Sequence, residues 1–235
     1  MKTLQLYLGI LRDAIKSFGK LFVFHKLTLQ EVRDEGENIK TFIFESNRKL
    51  DYKAGQYGIW FMPKFIKGKP GRLFTLASSP EEGIVQLSTR IGKTDFKQKL
   101  SRLKPGATVF MEGPIGQFTL PNPSPEAVVF IAGGIGITPI RALAVYVHDA
   151  ELPVNTTLIH SADDFYLYKD EMKQYFHESH FVTRSDFETV LRQVAHDQAN
   201  ATFFLSGPPG FVESAHTILR KQGIKRIKTD AFLGY

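Results

Sequence analysis

The chain has 235 residues, 43% of them hydrophobic and 23% charged, no cysteine, and a formal net charge of +6. That length accommodates two domains of ordinary size, and the balance describes a globular protein rather than a disordered one. Lacking thiols, these residues form no disulfide, no thiolate-ligated iron–sulfur cluster and no cysteine zinc site, so any electrons they handle travel on an organic cofactor. The basic residues are scattered and no nucleic-acid recognition motif accompanies them, so no nucleic-acid partner is expected. An acidic protein partner or an anionic membrane surface suits the excess charge.

Residues 1–20 read as an amphipathic helix, because Leu4, Leu8, Leu11, Ile15, Phe18 and Phe22 follow at spacings of four, three, four, three and four. Lys2, Arg12, Lys16 and Lys20 lie off that seam, which suits packing on a domain or peripheral contact with an anionic membrane, packing being the plainer reading. The apolar run is too short to span a bilayer and lacks a secretory cleavage site, so a cytoplasmic location is expected.

From Phe22 onward the pattern changes to short β segments at 24–32, 39–45, 57–62, 73–77, 84–89 and 108–112, punctuated by Gly36, Gly55, Gly68, Pro70-Gly71, Pro80, Gly83 and Pro105-Gly106. Six such segments predict a small six-stranded antiparallel barrel, with one helix at about 94–103. Prolines 114, 121, 123 and 125 read as a stiff connection. Beyond it strands at 128–132, 156–160, 181–183, 202–206 and 227–230 alternate with helices at 138–149, 168–177, 186–196 and 209–221. Such alternation predicts an α/β domain with a parallel sheet and helices on both faces. The expected division is therefore a helix at 1–21, a barrel domain at 22–122 and an α/β domain at 123–235.

The stretch AVVFIAGGIGITPIRALAV, residues 127–145, organises the second half. Apolar residues Val128–Ala132 lead into Gly133-Gly134-Ile135-Gly136, and Thr138-Pro139 opens an apolar helix. A helix start presents unpaired N–H groups, glycines let an anion approach closely, and a first-turn proline gives up nothing. The turn is a candidate pyrophosphate cradle, with plain strand–helix packing as the alternative because the third glycine of GxGxxG is absent. In the first half Arg72, Phe74 and Thr75 offer a phosphate ligand, an aromatic face and a hydroxyl, although this stretch by itself reads more plainly as an ordinary strand with a surface arginine. His177-Glu178-Ser179-His180 does not match the zinc pattern His-Glu-x-x-His and reads as a solvated helix end, so no metal site is expected.

The stretch Gly71-Arg72-Leu73-Phe74-Thr75-Leu76-Ala77-Ser78-Ser79-Pro80, the Gly133–Pro139 turn and Ser206-Gly207-Pro208-Pro209 occur in one order. Together they resemble the ferredoxin–NADP reductase superfamily over about residues 22–235, whose motifs are Arg-x-Tyr-Ser/Thr, Gly-Gly-x-Gly-x-Thr-Pro and Cys-Gly-Pro. The resemblance implies FAD in the barrel, with FMN the alternative flavin, and NADH or NADPH on the α/β domain. By position, Arg72 pairs with the flavin pyrophosphate, Phe74 stacks on the isoalloxazine in place of tyrosine, and Thr75 sets its hydroxyl near flavin N5. Leu73 lies between them, and Leu76, Ala77 and Ser78 line the ring edge through their backbones. Gly92 and Thr94 resemble a shortened Gly-x-x-Ser/Thr segment facing the flavin phosphates, with Thr94 also a plausible N-cap.

In the α/β domain the resemblance gives Gly133, Gly134, Gly136, Thr138 and Pro139 the nicotinamide pyrophosphate. Ser206 replaces the family's cysteine, and Gly207 and Pro208 follow it beside the nicotinamide. The ending Asp230-Ala231-Phe232-Leu233-Gly234-Tyr235 resembles the family's acidic-x-Phe-x-Gly-Tyr, with Asp230 acting near the nicotinamide and Tyr235 over the flavin. The implied catalytic set is Thr75, Ser206, Asp230 and Tyr235. After His160 and Ser161 come Ala162, Asp163 and Asp164; the acids repel a 2′-phosphate and Asp163 accepts a bond from a free 2′-hydroxyl. NADH is thus favoured over NADPH unless Arg184 swings in. The expected activity is hydride transfer from NAD(P)H to FAD, then electron transfer to a separate acceptor protein such as ferredoxin, flavodoxin or an oxygenase component. The alternative is an electron-transfer subunit docked through its N-terminal helix to a membrane or oxygenase complex.

Overall fold

The structure, a computed structural model, describes residues 23–63 and 71–232. The helix expected at 1–20 and the terminal Tyr235 lie outside the described residues. The chain divides into two compact units between Thr119 and Leu120. No described helix is long and apolar enough to cross a membrane.

The first unit is an antiparallel sheet of six strands: β1 (Phe24–Gly36), β2 (Ile39–Ser46), β3 (Tyr57–Phe61), β4 (Arg72–Thr75), β5 (Val85–Arg90) and β6 (Thr108–Ile115). Their order is β4-β3-β6-β1-β2-β5. Residues two apart point to the same face of a strand. Leu27 and Leu29, Phe42 and Phe44, Val85 and Leu87, and Val109 and Met111 therefore share one core with Trp60 and Leu76. Burying each large side chain contributes roughly 1.5–3 kcal/mol, enough to fix the register face by face.

The residues just after β4 stitch the sheet's two ends together. The Ala77 N–H donates to the Gln86 carbonyl at 2.8 Å, the Gln86 N–H donates to Ser78 Oγ at 3.0 Å, and Ser78 Oγ donates to the Ile84 carbonyl at 3.0 Å. The barrel thus closes through one Ala77–Gln86 backbone bond and one serine rather than a long strand pair. Helix α1 (Asp95–Ser101) follows β5, capped by Thr94, whose Oγ1 accepts from the Lys97 N–H at 3.4 Å. Strand β6 continues through Pro114 to Ile115, and Phe118 is buried, so the proline-rich connection begins later than the sequence pattern indicates.

The second unit is a parallel sheet of β7 (Ala127–Gly133), β8 (Asn155–Ser161), β9 (Glu178–Val182), β10 (Thr202–Gly207) and β11 (Ile227–Ala231), ordered β11-β10-β7-β8-β9. Its helices are α2 (Ile137–Asp149), α3 (Lys169–Tyr175), α4 (Arg184–Asp197) and α5 (Pro209–Lys221). Val129, Ile131, Phe203 and Leu205 face α4 and α5, which offer Phe187, Leu191, Val212 and Ala215. Phe130 faces the other way, its ring centroid 5.6 Å from Phe176 and 5.4 Å from Phe204. Strands covered on both faces read as continuous apolar runs, as Val128–Ala132 does.

One expectation is corrected here. The helix expected to reach residue 177 stops at Tyr175, and His177-Glu178-Ser179-His180 is not a helix end but the entry to β9. The His177 N–H donates to the Thr156 carbonyl at 3.1 Å, and the Thr156 N–H donates to His177 Nδ1 at 3.2 Å. Pairing with β8 overrides the weak local preference of a His-Glu-Ser-His run.

Candidate functional site

In the first unit the candidate residues sit on β4, an end strand of the sheet order. Register places Trp60 opposite Arg72, Ile59 opposite Leu73, Gly58 opposite Phe74 and Tyr57 opposite Thr75. Strand alternation sets Arg72 and Phe74 on one face and Leu73 and Thr75 on the other. Two glycines allow the close fit: a Cβ on Gly71 would fall 2.4 Å from Ile59 Cγ2, and one on Gly58 2.4 Å from Met111 Cγ. All four β4 residues are half-buried. Arg72 donates to the Gly71 carbonyl at 3.2 Å, and the Phe74 ring lies 5.6 Å from that of Phe96 on α1. The cationic fork and the aromatic ring thus lie on one face of the strand and the Thr75 hydroxyl on the other, and Phe74 also packs against the barrel core.

The neighbouring candidates are engaged in the barrel. The N–H groups of Leu76 and Ala77 bond the carbonyls of Gln56, at 3.0 Å, and Gln86. Ser78 is fully buried and also takes Tyr52 Oη on its carbonyl at 3.1 Å. Beside them the Gly92 carbonyl accepts from Gln98 Nε2 at 3.0 Å, which fixes the turn that leads into Thr94. Lys97, which the sequence reading passed over, lies next to Gly92; burial first, and then the Arg90 guanidinium, lower its pKa.

In the second unit the register brings the remaining candidates to the carboxyl edge of the sheet. Gly133 pairs with Ser161, Ser206 with both Ala132 and Asp230, and Gly207 with Ala231. Gly134–Gly136 form one tight helical turn that runs straight into α2. A Cβ on Gly136 would fall 2.2 Å from the Ser206 carbonyl oxygen, and one on Gly133 would fall 2.6 Å from the Phe211 ring. The turn therefore lies against β10 with no side chain between them. Gly134 differs: its φ of +52° is left-handed, and nothing stands within 4 Å of where its Cβ would be. Thr138 Oγ1 donates to the Ile135 carbonyl at 3.2 Å, and Thr138 and Pro139 are buried.

Ser206 is fully buried, and its Oγ has no hydrogen-bond partner among the described residues. A buried hydroxyl without a partner costs about 1–3 kcal/mol. At the carboxyl edge of an α/β sheet, where ligands enter, such an orphan is a candidate donor or acceptor for a polar ligand group. Asp230 is half-buried on the adjacent strand. Asp163, just past β8, forms a 2.9 Å ion pair with Arg184, both ends solvent-exposed.

Two further features were not singled out from the sequence. His160 Nε2 lies 3.0 Å from the Gly134 carbonyl, with the ring fully buried. Burial lowers its pKa to about 4. Arg141 on α2 meets Glu171 on α3 through two contacts, at 2.6 Å and 3.1 Å, tying the helix that begins at the glycine turn to its neighbour. A lone His ending an apolar strand was the signal for the first. The second pair, thirty residues apart, had none.

Residues 26–120 match the family of oxidoreductase FAD-binding domains. The phenol hydroxylase P5 protein of Acinetobacter pittii is 32% identical over 123 residues, covering 51% of this chain and 34% of the relative. Ferredoxin–NADP reductase B of Sorangium cellulosum is 33% identical over 118 residues, covering 49% and 44%. The chain thus spans less than half the length of either relative. A ferredoxin NADP+ reductase from Neisseria gonorrhoeae, solved with bound FAD and NADP, shares the fold with a TM-score of 0.74 at 18% identity, covering 88% of this chain and 98% of that one. Residues 26–120 thus match the oxidoreductase FAD-binding domain family, a parallel α/β unit follows them, and the chain has the two-unit fold of a ferredoxin NADP+ reductase.

Proposed function

We propose that the chain is a flavin-dependent reductase that draws electrons from NADH, in preference to NADPH, and delivers them to a separate protein acceptor. The observation that carries this reading is the carboxyl edge of the second sheet. There a glycine turn is pressed against β10, and a buried serine hydroxyl has no hydrogen-bond partner among the described residues. When bound, FAD accepts a hydride from the dihydronicotinamide and releases the electrons singly to an acceptor.

The protein's share of the chemistry is positioning. Arg72 neutralises flavin phosphate oxygens with a planar fork of donors, Phe74 supplies a ring face and Thr75 a hydroxyl. Gly92 and Thr94 bring the start of α1 to the same phosphates. Gly133, Gly134, Gly136, Thr138 and Pro139 form the floor for the nicotinamide pyrophosphate, and Gly207 and Pro208 form its wall. Ser206 Oγ donates to the nicotinamide edge and Asp230 sets the charge beside it; the role over the flavin that the resemblance gives Tyr235 lies outside the described residues. Asp163 accepts from the ribose 2′-hydroxyl, and its hold on Arg184 keeps that cation from a 2′-phosphate.

No cysteine occurs in these residues, so an iron–sulfur acceptor lies outside them. The similarity to the phenol hydroxylase P5 protein supports an oxygenase component as acceptor, with ferredoxin or flavodoxin as the alternatives. The seam from Leu4 to Phe22 supports a second reading, docking of residues 1–20 to a membrane or an oxygenase complex. Removing them would then abolish association and leave dye reduction intact.

The test is an absorbance spectrum of the purified protein, then anaerobic titration with NADH and with NADPH. Flavin bands that bleach with NADH at lower concentration than with NADPH support the full reading. Better bleaching by NADPH overturns the preference for NADH and the role of Asp163, and leaves the reductase reading standing. Protein that stays colourless after incubation with FAD and FMN overturns the reductase.

A further inference from the structure

His160 occupies the last turn-facing position of β8, with Tyr166 packed edge-on at 5.3 Å and Phe181 at 6.1 Å. A carbonyl oxygen only accepts, so the 3.0 Å contact with Gly134 requires the hydrogen on Nε2 of a neutral ring. Its lowered pKa keeps the ring neutral throughout the physiological range. Nδ1 has no partner among the described residues, so the Gly134 carbonyl alone selects this tautomer.

What this bond controls follows from peptide geometry. Gly134 is left-handed and nothing crowds the place of its missing Cβ, so no side chain of its own fixes the plane of the Gly134–Ile135 peptide, which its hydrogen bonds must hold. The Ile137 N–H reaches the same carbonyl from within the turn, and His160 ties it to the sheet. In a trans peptide the carbonyl and the following N–H point in opposite directions. Holding the Gly134 oxygen toward β8 therefore turns the Ile135 N–H the other way, to the half-exposed lip formed by Gly134 and Ile135.

We propose that His160 is a positioning residue for the dinucleotide: its bond to the Gly134 carbonyl aims the Ile135 amide at the ligand's diphosphate. The proposal rests on the reading that this unit binds a nicotinamide dinucleotide. It adds that the glycine turn is preorganised from a neighbouring strand as well as by its own Ile137 N–H.

The test titrates flavin-loaded protein with ADP, which carries the diphosphate, and with adenosine, which does not. Losing one hydrogen bond's worth of alignment, His160→Leu binds ADP about three- to ten-fold more weakly, while adenosine affinity holds. KM for NADH rises by the same factor with kcat unchanged. His160→Gln, whose amide Nε2 extends about as far as the ring donor, restores ADP binding. Unchanged ADP affinity in His160→Leu, or equal losses for ADP and adenosine, overturns the proposal. Should His160→Leu fail to fold, the wild-type Ile135 amide resonance decides. A shift with ADP and none with adenosine supports the proposal, and an unmoved resonance overturns it. Wild-type protein that binds no ADP overturns the proposal together with the dinucleotide reading beneath it.

Discussion

The two units offer their candidate ligand surfaces by opposite means. The first uses side chains on an end strand: Arg72 to Thr75 are all half-buried, and their functional groups project from β4. The second uses backbone at the end of the central strand β7, where Gly133, Gly136, Thr138 and Pro139 are buried. A side-chain site tolerates rearrangement of its strand but depends on residue identity. A backbone site tolerates many neighbours but depends on the absence of a Cβ.

The sharpest way to break this contrast is Gly136→Ala. Its methyl would meet the Ser206 backbone carbonyl at 2.2 Å, and the required shift costs about 3 kcal/mol. Denaturant unfolding should show that loss, and nucleotide affinity should fall while the flavin spectrum stays. A folded, wild-type-like Gly136→Ala would show that the turn is not pressed against β10.

Acid should weaken the second unit through His160. Its pKa is about 4 in the fold and about 6.5 when exposed, so the unfolded chain takes up the proton first. Stability is full above pH 6.5, falls as the pH drops toward 4 and levels off below, with a total loss on the order of 3 kcal/mol. Unfolding of wild type and His160→Leu across that window checks it, since the variant should lose this part of the slope.

Arg72→Ala tests the side-chain site. Loss of charge-assisted bonds of about 1.5–3 kcal/mol should weaken FAD and FMN binding by about 10- to 100-fold. Riboflavin, which lacks the phosphate, should bind as before, and equal weakening of all three flavins in calorimetry would remove Arg72 from the phosphate. The smallest effect belongs to Asp163→Ala. The exposed pair with Arg184 is worth about 0.2–1 kcal/mol, so stability barely moves, but the freed guanidinium should shift the NADPH-to-NADH ratio of kcat/KM a few-fold toward NADPH. An unchanged ratio would take this pair out of coenzyme choice.

Both candidate surfaces were legible in the sequence because each depends on residues with few substitutes: glycines and a proline in one, an arginine–aromatic–hydroxyl run in the other. The alternation of strands and helices marked the parallel sheet for the same local reason. Strand β9 was misjudged at its start because its first residues have little strand preference of their own and pair with Thr156, some twenty residues earlier. The roles of His160 and Arg141 were hidden for a related reason. Each acts on a partner that the fold, not the neighbouring sequence, brings near.

The seam formed by Ala77, Ser78 and Gln86 closes the barrel with the same short stretch that carries Arg72, Phe74 and Thr75. A flavin resting on that stretch is therefore also a folding ligand, adding about 2.7 kcal/mol when present at a hundred times its Kd. Flavin occupancy then sets resistance to degradation: the flavin-free protein should be cut by protease faster than the flavin-loaded protein, and added FAD should restore the slower rate.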